Sequence, residues 1–405
     1  MRICLVTLEW PPFGCGIGTY MFNLARGLVS DGHQVTVITH DRSPAESPGV
    51  NIVMVPVKDV PSTFLIRLQK WRMEPFHTWA TDAYNAYRAL LKSGYQYDVI
   101  ESAEYGAWAR NFSRGSVPLV IRCHNPSLIV RQLNASSRLS VWLIIQNYRE
   151  RKQALTADAI VCPSHALSNW IKDNWGVRKV DISVIPNLID DNLFSTGSIG
   201  NGKKVEVVYV GRLEEKKGVF DFAEAVAPLL DVYQNLVVRF IGLDIAVDEI
   251  ISENKVMASE YILGKVSGDA RRRVFFSGHI PVTCIIEYWR NALCAVVPSR
   301  MLESFSYTTV EAMACGCPVI ASRRGGPAEI ITEGHDGVLF EPGNVVELRA
   351  AIDKLIGNEK LRQSLSLNAR RTVVDQYGVS VVTKSITDHY QQVIRKRGFS
   401  AINSW

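Results

Sequence analysis

Short runs of adjacent apolar, often β-branched residues alternate along the first half of the chain with longer stretches whose apolar positions recur every three to four residues. The runs Arg2–Leu8, Gln34–Thr39, Asn51–Val57, Asp98–Glu101, Leu119–Arg122, Ala159–Cys162 and Ile182–Ile185 predict strands, and the stretches around Ile17–Ser30, Phe64–Lys92, Ser140–Leu155 and His165–Asn174 predict helices. Strands buried on both faces are apolar at nearly every position. When helices separate them, the product is a mostly parallel sheet with helices on both sides.

The rhythm breaks at STGSIGNGKK, residues 195–204, which is rich in glycine and serine and nearly free of bulky side chains. Such a stretch predicts a linker. A second series follows, with strands expected at Val205–Val210, Leu236–Ile241, Arg273–Phe276, Ala295–Pro298, Val319–Ser322 and Val338–Phe340. Its helices are expected near Phe220–Leu230, Thr309–Ala314, Val345–Ile356 and Glu359–Tyr377, with a last helix over about Ser380–Arg397. The expected organisation is a domain over 1–190, a linker over 191–204, a second domain over 205–379 and a terminal helix region over 380–405. Both domains are α/β and doubly wound. Facing each other across a cleft, they would bind ligands at the carboxyl ends of their strands, with a site shared between the halves.

At 405 residues the chain is too long for one ordinary core, which agrees with two domains. Its formal charge of +5 favours anionic ligands or surfaces only weakly, and nucleic acid is not among the expected partners. Eight cysteines, at positions 4, 15, 123, 162, 284, 294, 315 and 317, mostly sit in apolar strand-like contexts with no CxxC pair. They read as buried small hydrophobes in a reducing compartment. No stretch approaches the roughly 20 apolar residues of a membrane span, and a cytoplasmic protein is expected.

Four strand-end segments carry candidate chemistry. In PPFGCGIGTY, Gly14, Gly16 and Gly18 let backbone approach an anion before a helix N-terminus, although a tight turn alone also explains them. In GRLEEKKG, residues 211–218, Arg212 and Lys217 offer paired donors and a point charge suited to a diphosphate. A solvated charged loop is the alternative there, and Lys216 is expected to face solvent. In PSRMLESFSYTTVEAMACGCPVIAS, Glu303 and Glu311 bracket a strand-to-helix segment. If wholly helical, the intervening residues rise about 12 Å, comparable to the span from a ribose to a hexose across a diphosphate. The carboxylates would take hydroxyls and the amides around Phe305, Ser306 and Thr309 the phosphates; a cap and a surface helix residue are the alternative. In RCHNP, His124 follows a strand and points towards the expected cleft. No D-x-D motif and no metal-ligand histidine spacing occur, so the Arg–Lys pair would stand in for a metal.

With these loops in place, the chain closely resembles glycosyltransferase family 4, the retaining sugar-nucleotide enzymes of the GT-B fold. The likeness runs through GCGIGTY, LARGLVSDGHQVTVIT, VIPNLID, VGRLEEKKG, the Glu303–Glu311 segment and GGPAEIITEGHDGVLFEPGN. It implies that Arg212 and Lys217 hold the diphosphate, Glu303 contacts the donor sugar and Glu311 the ribose. It further places Gly16 near phosphate or sugar and His124 beside the transferred sugar, with Phe305, Ser306 and Thr309 also at the donor. Cys15, Ser306 and Leu188 each stand where the family often has glycine.

The implied reaction is transfer of a hexose from a nucleotide sugar to a hydroxyl of a glycan or lipid-linked acceptor in polysaccharide or glycoconjugate biosynthesis, with retention and without metal or other cofactor. A UDP-sugar is favoured and a GDP-sugar next. Two basic, aromatic-rich stretches, residues 64–79 and 131–152, read as core-packing helices with solvated ends or as peripheral contacts with an anionic membrane. A sugar-nucleotide epimerase of the same fold, a pyridoxal-dependent phosphorylase and a non-catalytic nucleotide-binding protein are the competing readings. An NAD-dependent dehydrogenase would need an acid after the second strand, where Thr39, His40 and Asp41 stand instead.

Overall fold

A computed structural model of the chain describes residues 1–12, 16–40, 42–57, 74–132, 141–177, 180–197, 205–247 and 256–402. These fall into two compact units, Met1–Leu188 with Val379–Trp405, and Ile189–Gly378. Residues 64–73 of the expected helix over Phe64–Lys92, residues 133–140 of the stretch 131–152 and the glycine-loop residues Gly14 and Cys15 lie outside the described residues.

In unit 1 the strands β1 (Arg2–Val6), β2 (Gln34–His40), β3 (Val50–Val55), β4 (Val99–Ala103), β5 (Leu119–Arg122), β6 (Ala159–Cys162) and β7 (Asp181–Val184) pair in the order β3-β2-β1-β4-β5-β6-β7. Every described pairing is parallel. The order reverses between β1 and β4, which makes the carboxyl ends of those strands the place where a doubly wound sheet accepts a ligand. β4 and β5 are buried at every position, as expected of strands covered on both faces.

The terminal helix Val379–Ile402 packs on the helix Gly16–Ser30 within this unit. A β-carbon on Gly27 would lie 2.2 Å from Thr383 Oγ1, so the crossing depends on glycine there. The Tyr390 hydroxyl then donates to the buried Glu101 carboxylate at 2.7 Å.

Unit 2 holds β8 (Glu206–Val210), β9 (Val237–Ile241), β10 (Val274–Phe276), β11 (Cys294–Val297), β12 (Val319–Ser322) and β13 (Val338–Phe340), in the order β10-β9-β8-β11-β12-β13. Its described pairings are also parallel. Successive side chains of a strand point to opposite faces. Thus Val207 and Tyr209 enter one apolar cluster and Val208 the other, and β11 divides likewise between Cys294 with Val296 and Ala295 with Val297. The chain enters and leaves the unit side by side, Ile189 N–H donating to Tyr377 O at 2.9 Å.

Of the stretch read as a linker, Ser195 is tied down: Arg290 Nε donates to its carbonyl at 2.7 Å and Arg290 Nη2 to its hydroxyl at 3.1 Å. Among the described residues four α-helices escaped the sequence reading: the six-residue Ser127–Gln132, Ala258–Lys265, Val282–Asn291 and the five-residue Gly326–Ile330. The helix of the Glu303–Glu311 segment begins only at Tyr307. The span worked out for an uninterrupted helix therefore does not apply, because Glu303 sits on the loop and Glu311 on the helix.

Candidate active site

The switch point of unit 2 lies between β8 and β11, and the loops leaving these two strands carry the candidate charges. They touch backbone to backbone. Gly218 adopts φ 70°, and a β-carbon there would lie 1.8 Å from Pro298 O. Only glycine accepts both the left-handed conformation and that approach. Arg300 N–H also donates to Lys216 O at 3.0 Å, and the Arg300 guanidinium reaches back to Asp221, Nε to Oδ2 at 2.7 Å. On the other side, Gly326 N–H donates to Glu303 O at 2.6 Å. The loop bearing Glu303 is thus clamped from both neighbouring strand ends.

Within this frame Lys217 Nζ meets Glu303 Oε1 at 2.8 Å. Glu303 is buried at 5% exposure. Burial works to raise its carboxyl, but the Lys217 charge and hydrogen bond override that and hold it below the usual carboxylate range. Arg212 pairs with Glu214 at 2.9 Å and keeps 53% of its side chain exposed. Tyr209 braces the same turn by donating to Arg212 O at 2.7 Å.

Glu311 is the contrasting carboxylate. It is half-buried on the helix Tyr307–Ala314, and its carboxylate has no hydrogen-bond or ion-pair partner among the described residues. Burial alone pushes it up to about 7.

The remaining donor-side residues differ in what their side chains do. Phe305 is buried in an apolar cluster, edge-on to Tyr307 with ring centroids 5.2 Å apart. Ser306 occupies the N-cap of the helix but its side chain makes no capping bond. Instead its hydroxyl accepts from Thr309 Oγ1 at 2.9 Å, and Thr309 is fully buried. From Phe305 and Thr309, what remains to offer a ligand is backbone. The uncapped first turn leaves N–H donors suited to an anion.

One expectation fails. Lys216 does not face solvent: its side chain is 11% exposed and its ammonium lies 3.2 Å from Glu214. Glu214, which holds both Arg212 and Lys216, was missed even though it lies two residues from each. The Arg300–Asp221 pair was missed for a different reason, since 79 positions separate the partners and nothing local marks them.

In unit 1, Gly16 is exposed and begins the helix Gly16–Ser30. One turn on, the Tyr20 ring sits edge-on to the His124 ring at 4.9 Å, so the helix after the glycine loop and the loop after β5 meet. His124 is 6% exposed, and its Nε2 has no hydrogen-bond partner. Burial first, and then the Arg122 charge, hold the imidazole well below its ordinary pKa and keep it neutral. Leu188, standing where glycine was expected, is fully buried.

Among the described residues no group of three or more His, Cys, Asp or Glu side chains could hold a metal ion. No helix among them is long and apolar enough to cross a membrane.

Two doubly wound parallel sheets, with cations and carboxylates gathered at a switch point, define a class: the glycosyltransferases of the GT-B fold. Residues 195–372 match the family model described as Glycosyl transferases group 1, and residues 14–193 match the model described as Glycosyltransferase Family 4. The chain belongs to this family 4 type of glycosyltransferase. It is similar to a glycogen synthase of Mycobacterium tuberculosis, 24% identical, over 98% of this chain and 96% of the relative. Among solved structures it resembles a sucrose-phosphate synthase from Thermosynechococcus elongatus, with TM-score 0.76 and 21% identity over 98% of this chain and 99% of the other. It also resembles Anabaena Alr3699/HepE solved in complex with UDP-glucose, with TM-score 0.68 and 19% identity over 97% of this chain and 100% of the other.

Proposed function

We propose that the protein is a retaining hexosyltransferase that moves a sugar from a nucleotide sugar, a UDP-sugar first and a GDP-sugar next, to a hydroxyl of a glycan or lipid-linked acceptor. The observation that carries this reading is the placing of Arg212, the Lys217–Glu303 pair and the unpartnered Glu311 about one switch point. A diphosphate takes its charge complement from Arg212, Lys217 and the first-turn amides after Ser306. Glu303 accepts from donor-sugar hydroxyls and Glu311 from ribose hydroxyls. The UDP preference is supported by the UDP-glucose complex of the Anabaena structure.

The proposed chemistry is a front-face displacement. The bond from the anomeric carbon to the diphosphate oxygen breaks through an oxocarbenium-like state as the acceptor oxygen bonds to the same face. The acceptor's proton passes to the departing phosphate oxygen. Charge builds on that oxygen, so Arg212 and Lys217 act most strongly in the transition state, each contributing roughly 3 kcal/mol. No metal ion is needed in this scheme. His124, neutral and with Nε2 unpartnered, takes a hydroxyl of the transferred sugar, and Gly16 offers backbone near its phosphate.

On the acceptor side, the helix Val141–Leu155 exposes Ile144 (57%) and Tyr148 (58%), one turn apart and followed by basic residues. This supports peripheral contact with a lipid-linked acceptor at an anionic membrane surface. Absence of salt-sensitive binding to anionic vesicles would remove that part of the reading.

Thermal-shift titration with a panel of nucleotides and sugar nucleotides, followed by product analysis with EDTA present, tests the whole. UDP-sugars are expected to raise the melting temperature, and the product sugar to keep the donor's anomeric configuration. Release of an altered sugar nucleotide without acceptor, or loss of turnover in EDTA, would overturn the proposal.

A further inference from the structure

The loop carrying His124 is held by a carboxylate that neither the sequence motifs nor the donor-site reading uses. Glu104 follows β4 directly, and its residue is fully buried. Its Oε2 accepts from His124 N–H at 2.8 Å and its Oε1 from Asn125 N–H at 2.6 Å. Both oxygens are therefore committed to consecutive backbone donors, and the peptide entering and leaving His124 is fixed at two points. Glu104 N–H in turn donates to Arg122 O at 3.0 Å, so the carboxylate's own backbone is tied to the strand from which the loop departs.

A second buried carboxylate continues the support. Glu150, on the helix Val141–Leu155, accepts from Ser127 N–H at 3.0 Å, from Ser127 Oγ at 2.6 Å and from Gly106 N–H at 3.2 Å. Two buried carboxyls so close together work against each other: burial first and the Glu150 charge second raise the Glu104 pKa, while the backbone bonds from His124 and Asn125 favour the ionised form that accepts both. A fold does not place such a pair without return, since two buried acids cost more than two neutral side chains of the same shape. Here the return is a rigid peptide under His124, whose ring is fixed from the side by Tyr20, itself donating to Glu101 at 2.8 Å.

We propose that Glu104 is a positioning residue for the transfer reaction, its carboxylate fixing the orientation of His124 through the two backbone hydrogen bonds. The assignment rests on the reading of His124 as a contact of the transferred sugar. A glutamine at 104 keeps the shape but turns an N–H₂ group towards one of the two donors, so one bond is lost and the loop is free to shift. Displacement of a substrate-contacting group by about 1 Å costs up to about a hundredfold in rate. The loss appears in kcat, because the nucleotide is held by unit 2 residues that Glu104 does not touch.

The test is a double-mutant cycle on the full chain, with kcat, donor KM and melting temperature read for Glu104→Gln, His124→Ala and the double variant. Glu104→Asp, which keeps charge but shortens the reach, is the second variant and carries the test if Glu104→Gln does not fold. The expected result is a drop in kcat of at least about tenfold for Glu104→Gln with donor KM within about threefold. His124→Ala should then add little to it, because Glu104 acts through His124. Full additivity of the two substitutions, or unchanged kcat in a folded Glu104 variant, overturns the inference while leaving His124 in place. Wild-type kcat in His124→Ala instead overturns the reading of His124 on which it rests.

Discussion

Replacing Lys217 with alanine separates the electrostatics of the site from its chemistry. The substitution leaves Glu303, 5% exposed, without the ammonium now 2.8 Å from its Oε1. At an effective dielectric constant of 20, two unit charges at that distance attract by about 6 kcal/mol. Desolvation of both groups offsets part of this, and breaking a buried pair from one side costs about 3–5 kcal/mol in practice. Lys217 keeps 29% of its side chain exposed, so the low end applies, about 3 kcal/mol. For a unit of this size that lowers the melting temperature by about 6–12 °C.

Glu303→Gln removes the buried charge and leaves an ammonium that water can reach, so it should cost only about 1 kcal/mol. In the double variant no charge remains buried, and most of the Lys217→Ala loss should be recovered. The pH dependence follows with a definite sign. Because Lys217 depresses the Glu303 pKa, the pair contributes stability above the unfolded-state value near 4.3 and loses it as pH falls through the folded value. Without Lys217, burial governs, the folded pKa rises, and stability declines as pH rises through it. The gap between wild type and Lys217→Ala should therefore widen from about pH 5 to about pH 8. Calorimetric scans of the four proteins at both pH values check this. Additive melting shifts in the double variant, or a gap that narrows as pH rises, would refute the reasoning.

The other predictions draw on groups in contrasting surroundings. Arg212→Ala should lower kcat by about a hundredfold or more while changing stability by less than about 1 kcal/mol, because Arg212 keeps 53% of its side chain exposed and Lys216 still pairs with Glu214 when it is gone; steady-state kinetics and a thermal melt decide it. On its proposed role, Glu311, pushed up to about 7 by burial, binds ribose hydroxyls more strongly when ionised, because charge-assisted bonds are about twice as strong as neutral ones, so the donor KM should fall by up to about tenfold from about pH 6 to about pH 8. Glu311→Gln should flatten that profile. Gly218→Ala should destabilise by at least about 2 kcal/mol, since its β-carbon would lie 1.8 Å from Pro298 O. Gly334→Ala at φ 72°, with nothing within 4 Å, should cost only about 1 kcal/mol. Equal melting temperatures for the two glycine variants would show that the close approach carries no weight.

What the chain discloses before folding depends on whether the informative neighbours are adjacent in sequence. Strands such as β6 and β11 were legible because burial on both faces makes each an uninterrupted apolar run. The helix Val282–Asn291 was missed although Val282, Ile285, Ile286 and Trp289 recur at helical spacing; it is only ten residues long and buries just Ile286 and Trp289. The helix Val141–Leu155 was read by its apolar run, yet Gln146, Glu150 and Gln153 are buried while Ile144 and Tyr148 are exposed. Between Leu143 and Ala154 its buried stripe keeps helical spacing but is polar, because that face meets loop backbone: Gln153 accepts from Ala109 N–H at 2.8 Å and donates to Ala103 O at 3.1 Å. Pattern methods assume that the inward face is apolar, and this one is not. The Glu303–Glu311 segment stood out because both acids lie on one strand-to-helix connection. Glu104 gave no signal, since its worth comes from donors 20 and 21 positions away.

The two acids of that segment are electrostatic opposites, and this bears on how a donor would be held. Glu303 is ionised because a cation is already beside it, whereas Glu311 is poised near neutrality because none is. Each exposed or half-exposed cation of the β8 loop also has an internal carboxylate, Arg212 with Glu214 and Lys217 with Glu303. On the proposed reading, a diphosphate reaching these cations would exchange one anion for another and gain only the difference in binding. The charge that develops on the leaving oxygen meets the same donors, already in position and partly shielded from water, with no such competitor to displace. Pairing of this kind holds down affinity for the ground state and leaves stabilisation of the transition state intact, which is the direction in which turnover improves.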